Sequence, residues 1–187
     1  MSRFFRLWDD VEIPGRWYLK APMQEGRWFN PNLFTGGEGR VDVGNTLTMF
    51  LRRPGQPLDY TMADAGLPIL SERAAALFQS HAGDDVQLIP ISIDGQPTPF
   101  FILNALHAID CVDEQRSEGI QRWTAADERP DMLGGYKAID VLHIDPGRVG
   151  GHSLFRVKGW VVALLISEAL RDALVGAHLV GPKFDPV

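Results

Sequence analysis

The sequence predicts an α+β fold of mostly antiparallel sheet with two short serine-capped helices. Three observations lead there. First, a phrase recurs at an offset of 96 residues: Leu70-Ser71-Glu72-Arg73-Ala74-Ala75-Ala76-Leu77-Phe78 and Ile166-Ser167-Glu168-Ala169-Leu170-Arg171-Asp172-Ala173-Leu174. Its apolar positions share one helical face. In each copy Ser sits where an N-cap accepts from the first free amides, and Glu follows where a negative charge suits the helix dipole. Second, apolar residues elsewhere alternate over short stretches bounded by Gly, Pro, Asn and Asp, as in strands joined by turns. Third, the order of elements is many strands interrupted by only these two helices.

Residues 1–35 carry Phe4, Phe5, Trp8, Trp17, Tyr18, Trp28, Phe29 and Phe34 between turn-forming Pro14-Gly15, Pro22, Gly26 and Asn30-Pro31-Asn32, which predicts short strands. Thr35 to Arg40, with Gly36, Gly37 and Gly39, reads as a loop, and Thr46 to Arg52 as a strand stopped by Arg53-Pro54-Gly55. The first helix is expected from Ser71 to about His81, closed by Gly83. Val86 to Ile93 alternates, Asp94-Gly95 turns the chain, and Phe100 to Val112, apolar on both faces, reads as a buried central strand. Asp113 to Gly135 is polar and acidic and predicts a long surface connection, of a kind often functional. Strands return at Ala138 to Ile144, Ser153 to Val157 and Trp160 to Leu165; the second helix runs from Ser167 to about Gly176, before an extended piece from Leu179 to Phe184. The serine phrase is explained as well by convergent helix-start chemistry as by duplication.

At 187 residues and 20.8 kDa the chain fits one domain, 1–187, with the aromatic strands in residues 1–50 and a core from 60 to 187. Its 45% hydrophobic and 22% charged content is ordinary for a soluble globular protein. A net charge of -6 and a pI near 5.3 argue against general nucleic-acid binding, which needs clustered Lys and Arg. Cys111, the single cysteine, excludes an intrachain disulfide. The first ten residues lack a signal-peptide core, and the apolar run Trp160 to Ile166 is far too short to span a bilayer, so cytoplasmic residence is the default expectation.

The densest polar constellation is His107, Asp110, Asp113 and Glu114. Such donors could bind a divalent metal and activate water, the basis for an alternative reading as a metal-dependent hydrolase using Asp110, Asp113 and Glu114 with His107 or His143. Alternation along a strand tells against it, since His107 and Asp110 would point opposite ways. His143 and Asp145 share a strand face but lack a third ligand. Gly151-His152-Ser153-Leu154-Phe155 lacks the second glycine of a nucleophile elbow, and the glycines at 36–39 and 147–151 lack the spacing of a phosphate loop. Cys111 lies in an apolar, acidic stretch that raises a thiol pKa. The aromatic N-terminus with Arg3, Arg6, Arg16 and Arg27 serves core packing better than base stacking. The expectation is no catalytic residue, no metal and no cofactor.

Leu67-Pro68-Ile69-Leu70-Ser71-Glu72, Val86-Gln87-Leu88-Ile89-Pro90-Ile91, Phe100-Phe101-Ile102-Leu103-Asn104 and Asp110-Cys111-Val112-Asp113-Glu114-Gln115-Arg116-Ser117 occur in an order that resembles the Imm11 immunity-protein family of bacterial polymorphic toxin systems. Leu154-Phe155-Arg156-Val157-Lys158-Gly159, Ile166-Ser167-Glu168 and Leu179-Val180-Gly181-Pro182-Lys183-Phe184 extend the match to the C-terminal end, starting from about residue 60. The resemblance implies a cytosolic antitoxin that binds a cognate toxin domain encoded by an adjacent gene, often one delivered by type VI secretion, and brings no catalytic residues. Its matched motifs are apolar or capping, so partner contacts are expected in the polar connection: Asp113, Glu114, Glu118, Asp127, Glu128 and Asp131, with Trp123 as an aromatic anchor. An acidic surface would complement a basic toxin.

Overall fold

A computed structural model describes residues 3–37 and 39–187. Met1, Ser2 and Glu38, the last in the expected Thr35 to Arg40 loop, lie outside the described residues. In chain order the elements begin with β1 (Phe4–Asp9), β2 (Tyr18–Leu19), β3 (Met23–Gln24), β4 (Arg27–Trp28), β5 (Leu47–Met49), β6 (Leu51–Arg53), β7 (Tyr60–Ala63), β8 (Leu67–Ser71) and α1 (Glu72–Ala82). There follow β9 (Val86–Ile93), β10 (Phe100–Ala105), β11 (Ala108–Ile109), β12 (Gln121–Arg122), β13 (Tyr136–Ala138), β14 (Leu154–Val157), β15 (Trp160–Ser167), α2 (Glu168–Gly176) and β16 (Pro182–Pro186). The fold is α+β and mostly antiparallel.

Two sheets dominate. One has seven strands in the order β4-β3-β5-β9-β10-β8-β7, the other five in the order β11-β14-β15-β1-β16, with small pairs β12-β13 and β2-β6 beside them. The helices lie with the inner faces of both sheets in one apolar cluster that includes Phe5, Leu7, Phe78, Leu103, Leu164, Ile166 and Leu170. The other face of the seven-stranded sheet is covered by Trp17, Leu19 and Phe34 from the N-terminal segment. The other face of the five-stranded sheet is covered by Cys111, Val112, Tyr136, Ile139, Leu142 and Ile144. Each sheet is therefore covered on both sides over its central part.

Strand periodicity shows how the sequence builds these layers. Along β10, Phe100 and Ile102 enter the N-terminal cluster while Phe101, Leu103 and Ala105 enter the helical one. Along β9, Ile89, Ile91 and Ile93 face one way, and Val86 and Leu88 the other. The hairpin expected around Asp94-Gly95 is present, with Phe100 opposite Ile91 and Ala105 opposite Val86.

The expected strand from Phe100 to Val112 is shorter than the apolar run. Its partner starts at Val86, so beyond Ala105 no ladder remains, and the Leu106 amide goes instead to the Asp85 carbonyl (2.9 Å). The chain then crosses to the other sheet, where Ala108 and Ile109 pair in parallel with Arg156 and Val157. The strand expected from Ala138 to Ile144 is likewise absent. After β13 the backbone makes only single bridges, Val141 to Glu118 and Ile144 to Val112, because its neighbours change every few residues. Thr46 to Arg52 splits at Phe50 into strands of different sheets, and the final extended piece becomes β16, beginning at Pro182.

Both serine caps form. Ser71 Oγ accepts from the Ala74 amide (3.3 Å) and Ser167 Oγ from the Leu170 amide (3.4 Å). Ser71 also donates to Asp59 Oδ1 (2.8 Å), whose other oxygen accepts from the Val180 amide (2.9 Å). Arg73, in the first turn of α1, donates to the Ala177 and His178 carbonyls (2.9 and 3.1 Å), so one helix start caps the other helix's end. Ser71→Ala is accordingly expected to cost about 1–2 kcal/mol and Ser167→Ala no more than about 1 kcal/mol, read from urea midpoints. Equal losses would show that the bond to Asp59 contributes nothing.

Candidate functional site

The connection from Asp113 to Gly135 forms an arm. β12 and β13 pair, with Gln121 opposite Ala138 and Arg122 opposite Tyr136, and the ladder is prolonged by Trp123 N–H to Gly135 O (2.9 Å) and Gly134 N–H to Trp123 O (3.0 Å). Short 3₁₀ turns at Ala125–Asp127 and Pro130–Met132 fill the tip. The Tyr136 amide bonds to the Gly159 carbonyl (2.8 Å), and the Tyr136 ring is buried with Trp160, so the root of the arm is fixed to the β14–β15 turn.

The structure separates the six expected contact carboxylates into two kinds. Asp113 Oδ1 accepts from the amides of Gln115 and Arg116 (3.1 and 3.3 Å), which makes it a turn former. Glu114 Oε1 accepts from Arg122 (2.5 Å) and from the Tyr136 hydroxyl (2.7 Å). Asp131 is held by both Nε and Nη2 of Arg129 (3.0 and 2.8 Å). Asp127 accepts from Lys137 Nζ and from Thr124, and these bonds, Lys137 first, hold its carboxyl at about 2. These four carboxylates already have internal partners. Glu118 and Glu128 are exposed, and among the described residues neither side chain has a hydrogen-bond or ionic partner.

Trp123 stands half-buried with Lys137 Nζ 5.0 Å and Arg129 Cζ 5.9 Å from its ring centroid. It opens a groove of about 470 Å³, walled by Met132, Leu133 and Tyr136 of the arm and by Trp160, Val161 and Val162 of β15. Leu133 and Val162 are 60% and 61% exposed there. The arrangement is an apolar slot whose charged lining is Asp131, Lys137 and Lys158, of a kind suited to holding a protein surface. Leu133 was visible as an apolar residue within the polar connection; Val162 was hidden in a run that reads as core strand.

The residues of the hydrolase alternative are not assembled. Among the described residues, Asp110, Asp113, Glu114 and His143 belong to no group with ligand atoms close enough to share a metal. Asp110 is exposed, and Asp145 caps its own turn by accepting from the Gly147 amide (2.9 Å), so it does not pair with His143. Cys111 is buried, and burial, with Asp110 nearby, pushes its thiol up to about 12, which leaves no nucleophile at neutral pH. Two of the N-terminal arginines lie over the protein's own aromatics: Arg6 Cζ is 3.5 Å from the Trp8 ring centroid and 4.4 Å from that of Trp160, and Arg16 Cζ is 5.0 Å from that of Tyr18, while Arg3 pairs with Glu168 (3.1 Å).

His107 has other neighbours. Its Nε2 lies 3.6 Å from Asp85 Oδ1, which His152 Nδ1 approaches to 2.6 Å, and the two imidazole centroids are 4.2 Å apart. No spacing rule could find this trio, since Asp85 and His152 are 67 residues apart. The glycine pair before His152 was the available signal that this histidine is presented on a turn.

Among models of known protein families, the one described as the immunity protein family Imm11 matches residues 10–187, reaching well upstream of the motifs that begin near residue 60. No curated protein matches the sequence.

Proposed function

Since the chain belongs to the Imm11 immunity protein family, we propose that it is the antitoxin of a bacterial polymorphic toxin system, which binds and neutralises one cognate secreted toxin domain in the cytosol, such as one delivered by type VI secretion. The family match over residues 10–187 is the observation that carries this reading. It acts by stoichiometric binding, without turnover. No helix of the described residues is long and apolar enough to cross a membrane.

The arm and its groove are the proposed contact face. Trp123, Leu133 and Val162 supply the apolar centre, and Glu118 and Glu128, exposed elsewhere on the same connection, supply free negative charge for a basic toxin surface. Asp113, Glu114, Asp127 and Asp131 shape the arm from within. Against the toxin domain encoded by the adjacent gene, calorimetry is expected to show a one-to-one complex. Trp123→Ala should weaken it about 30-fold or more, mostly through faster dissociation. Glu118→Lys with Glu128→Lys should slow association and flatten its salt dependence. Absence of any complex would refute the antitoxin reading, whereas a complex indifferent to all three substitutions would refute this face alone.

A further inference from the structure

The trio of Asp85, His107 and His152 lies apart from the arm and is unused by the proposed function. Asp85 follows α1, where its backbone is fixed by Asp85 N–H to Ala82 O and Leu106 N–H to Asp85 O (both 2.9 Å). His107 follows β10, its carbonyl accepting from the Arg156 amide (2.9 Å). His152 ends the Gly150-Gly151 turn, whose positive φ values of 69° and 87° suit glycine. Three separate segments thus meet at one point.

The chemistry of that point is specific. One oxygen of Asp85, one nitrogen of His107 and one of His152 all lie within 4.8 Å of one another. The Asp85 side chain is only 9% exposed, and its other oxygen accepts from the amides of Ser153 (2.7 Å) and Leu154 (3.3 Å), which aims Oδ1 at the two rings. Backbone amides that orient a ligating carboxylate in this way are the usual outer support of a metal site. The imidazoles are 39% and 33% exposed and face a polar cavity of about 440 Å³ that Ser80, His81 and the glycine turn also line.

We propose that Asp85, His107 and His152 form a binding site for a divalent transition-metal ion of the zinc class. Two imidazoles and a carboxylate are donors of the borderline kind that zinc takes, and the cavity leaves a fourth position to water or to a donor from a partner. Tetrahedral bonds of about 2.0–2.1 Å place ligand atoms roughly 3.3 Å apart. The 3.6 Å between Asp85 and His107 already fits, and the 2.6 Å contact between Asp85 and His152 opens as the metal replaces its proton.

Cobalt(II) provides the test, titrated into chelator-treated protein and followed by absorption. One equivalent giving the intense visible bands of a tetrahedral nitrogen–oxygen site, displaced by zinc, is the expected result. His107→Gln and His152→Gln should each weaken binding about 100-fold with an unchanged circular dichroism spectrum. Asp85→Asn, which keeps an acceptor for the Ser153 amide, should do the same. A second measurement needs only the wild-type chain: zinc should protect His107 and His152, but not His143 or His178, from diethyl pyrocarbonate. No tetrahedral spectrum, equal affinity in the histidine variants, or equal modification of all histidines in zinc would overturn the site.

Discussion

Replacing Arg16 with methionine is expected to cost about 3–5 kcal/mol of stability, measured by urea unfolding. Arg16 is 2% exposed, yet it carries a charge. Its Nη2 donates to Asp9 and to Thr61 Oγ1 (2.6 Å), and its Nη1 to the Asp10 carbonyl (2.7 Å). Asp9 belongs to the five-stranded sheet and Thr61 to the seven-stranded one, so a single guanidinium ties the two together. Removing it strands the Asp9 carboxylate, whose side chain is 13% exposed and keeps only the Met62 amide (3.2 Å). Burying an unpaired charge is the costly part, because the pair itself trades desolvation against attraction. Arg16→Met combined with Asp9→Asn should therefore recover much of the loss. If the double variant is as unstable as the sum of the two singles, the coupling is absent and packing alone explains the effect.

Gly181→Ala should be of similar size, about 3–5 kcal/mol. The residue has φ +114°, a region costly for any side chain, and a Cβ built there would stand 2.0 Å from the Tyr60 carbonyl oxygen. The backbone cannot yield easily. Gly181 O accepts from the Asp10 amide (2.7 Å), and the preceding carbonyl, of Val180, accepts from Asp59 and Tyr60 (2.9 and 3.2 Å). Gly44 offers the control, since its φ is +65° and nothing lies within 4 Å of its missing Cβ. Gly44→Ala should cost about 1 kcal/mol, from backbone strain alone. Equal unfolding midpoints for the two variants would show that the close approach to Tyr60 is relieved at no cost.

Local chemistry was legible in the sequence wherever it decided the structure. Ser71 and Ser167 cap as their surroundings require, β9 shows the facing that its alternation implies, and β10 is covered on both faces as its apolar run implies, because periodicity reports burial directly. The failures share one cause. The apolar run from Phe100 to Val112 does not reveal that its partner strand begins at Val86, and the apolar residues from Ala138 to Ile144 do not reveal that three different segments take turns beside them. Pairing is a long-range property, and a single sequence carries little of it. The same limit applied to side chains. The arm was recognised from its polarity, but which of its carboxylates are spent internally depended on Arg122, Arg129 and Lys137 folding back, and the Asp85 trio depended on three segments converging.

The position of β1 has a consequence in time. That strand lies between β15 and β16, pairing Phe5 with Ile166 on one side and with Pro186 on the other. One side of the five-stranded sheet is thus assembled from opposite ends of the described chain, with β16 at its edge. During synthesis, residues 4–9 are made long before either partner strand, residues 160–167 on one side and 182–186 on the other. Such long closures slow folding and leave sticky edges exposed meanwhile. The edge of β1 that takes β16 therefore stays open until residues 182–186 have been made, and the sheet closes only when they dock.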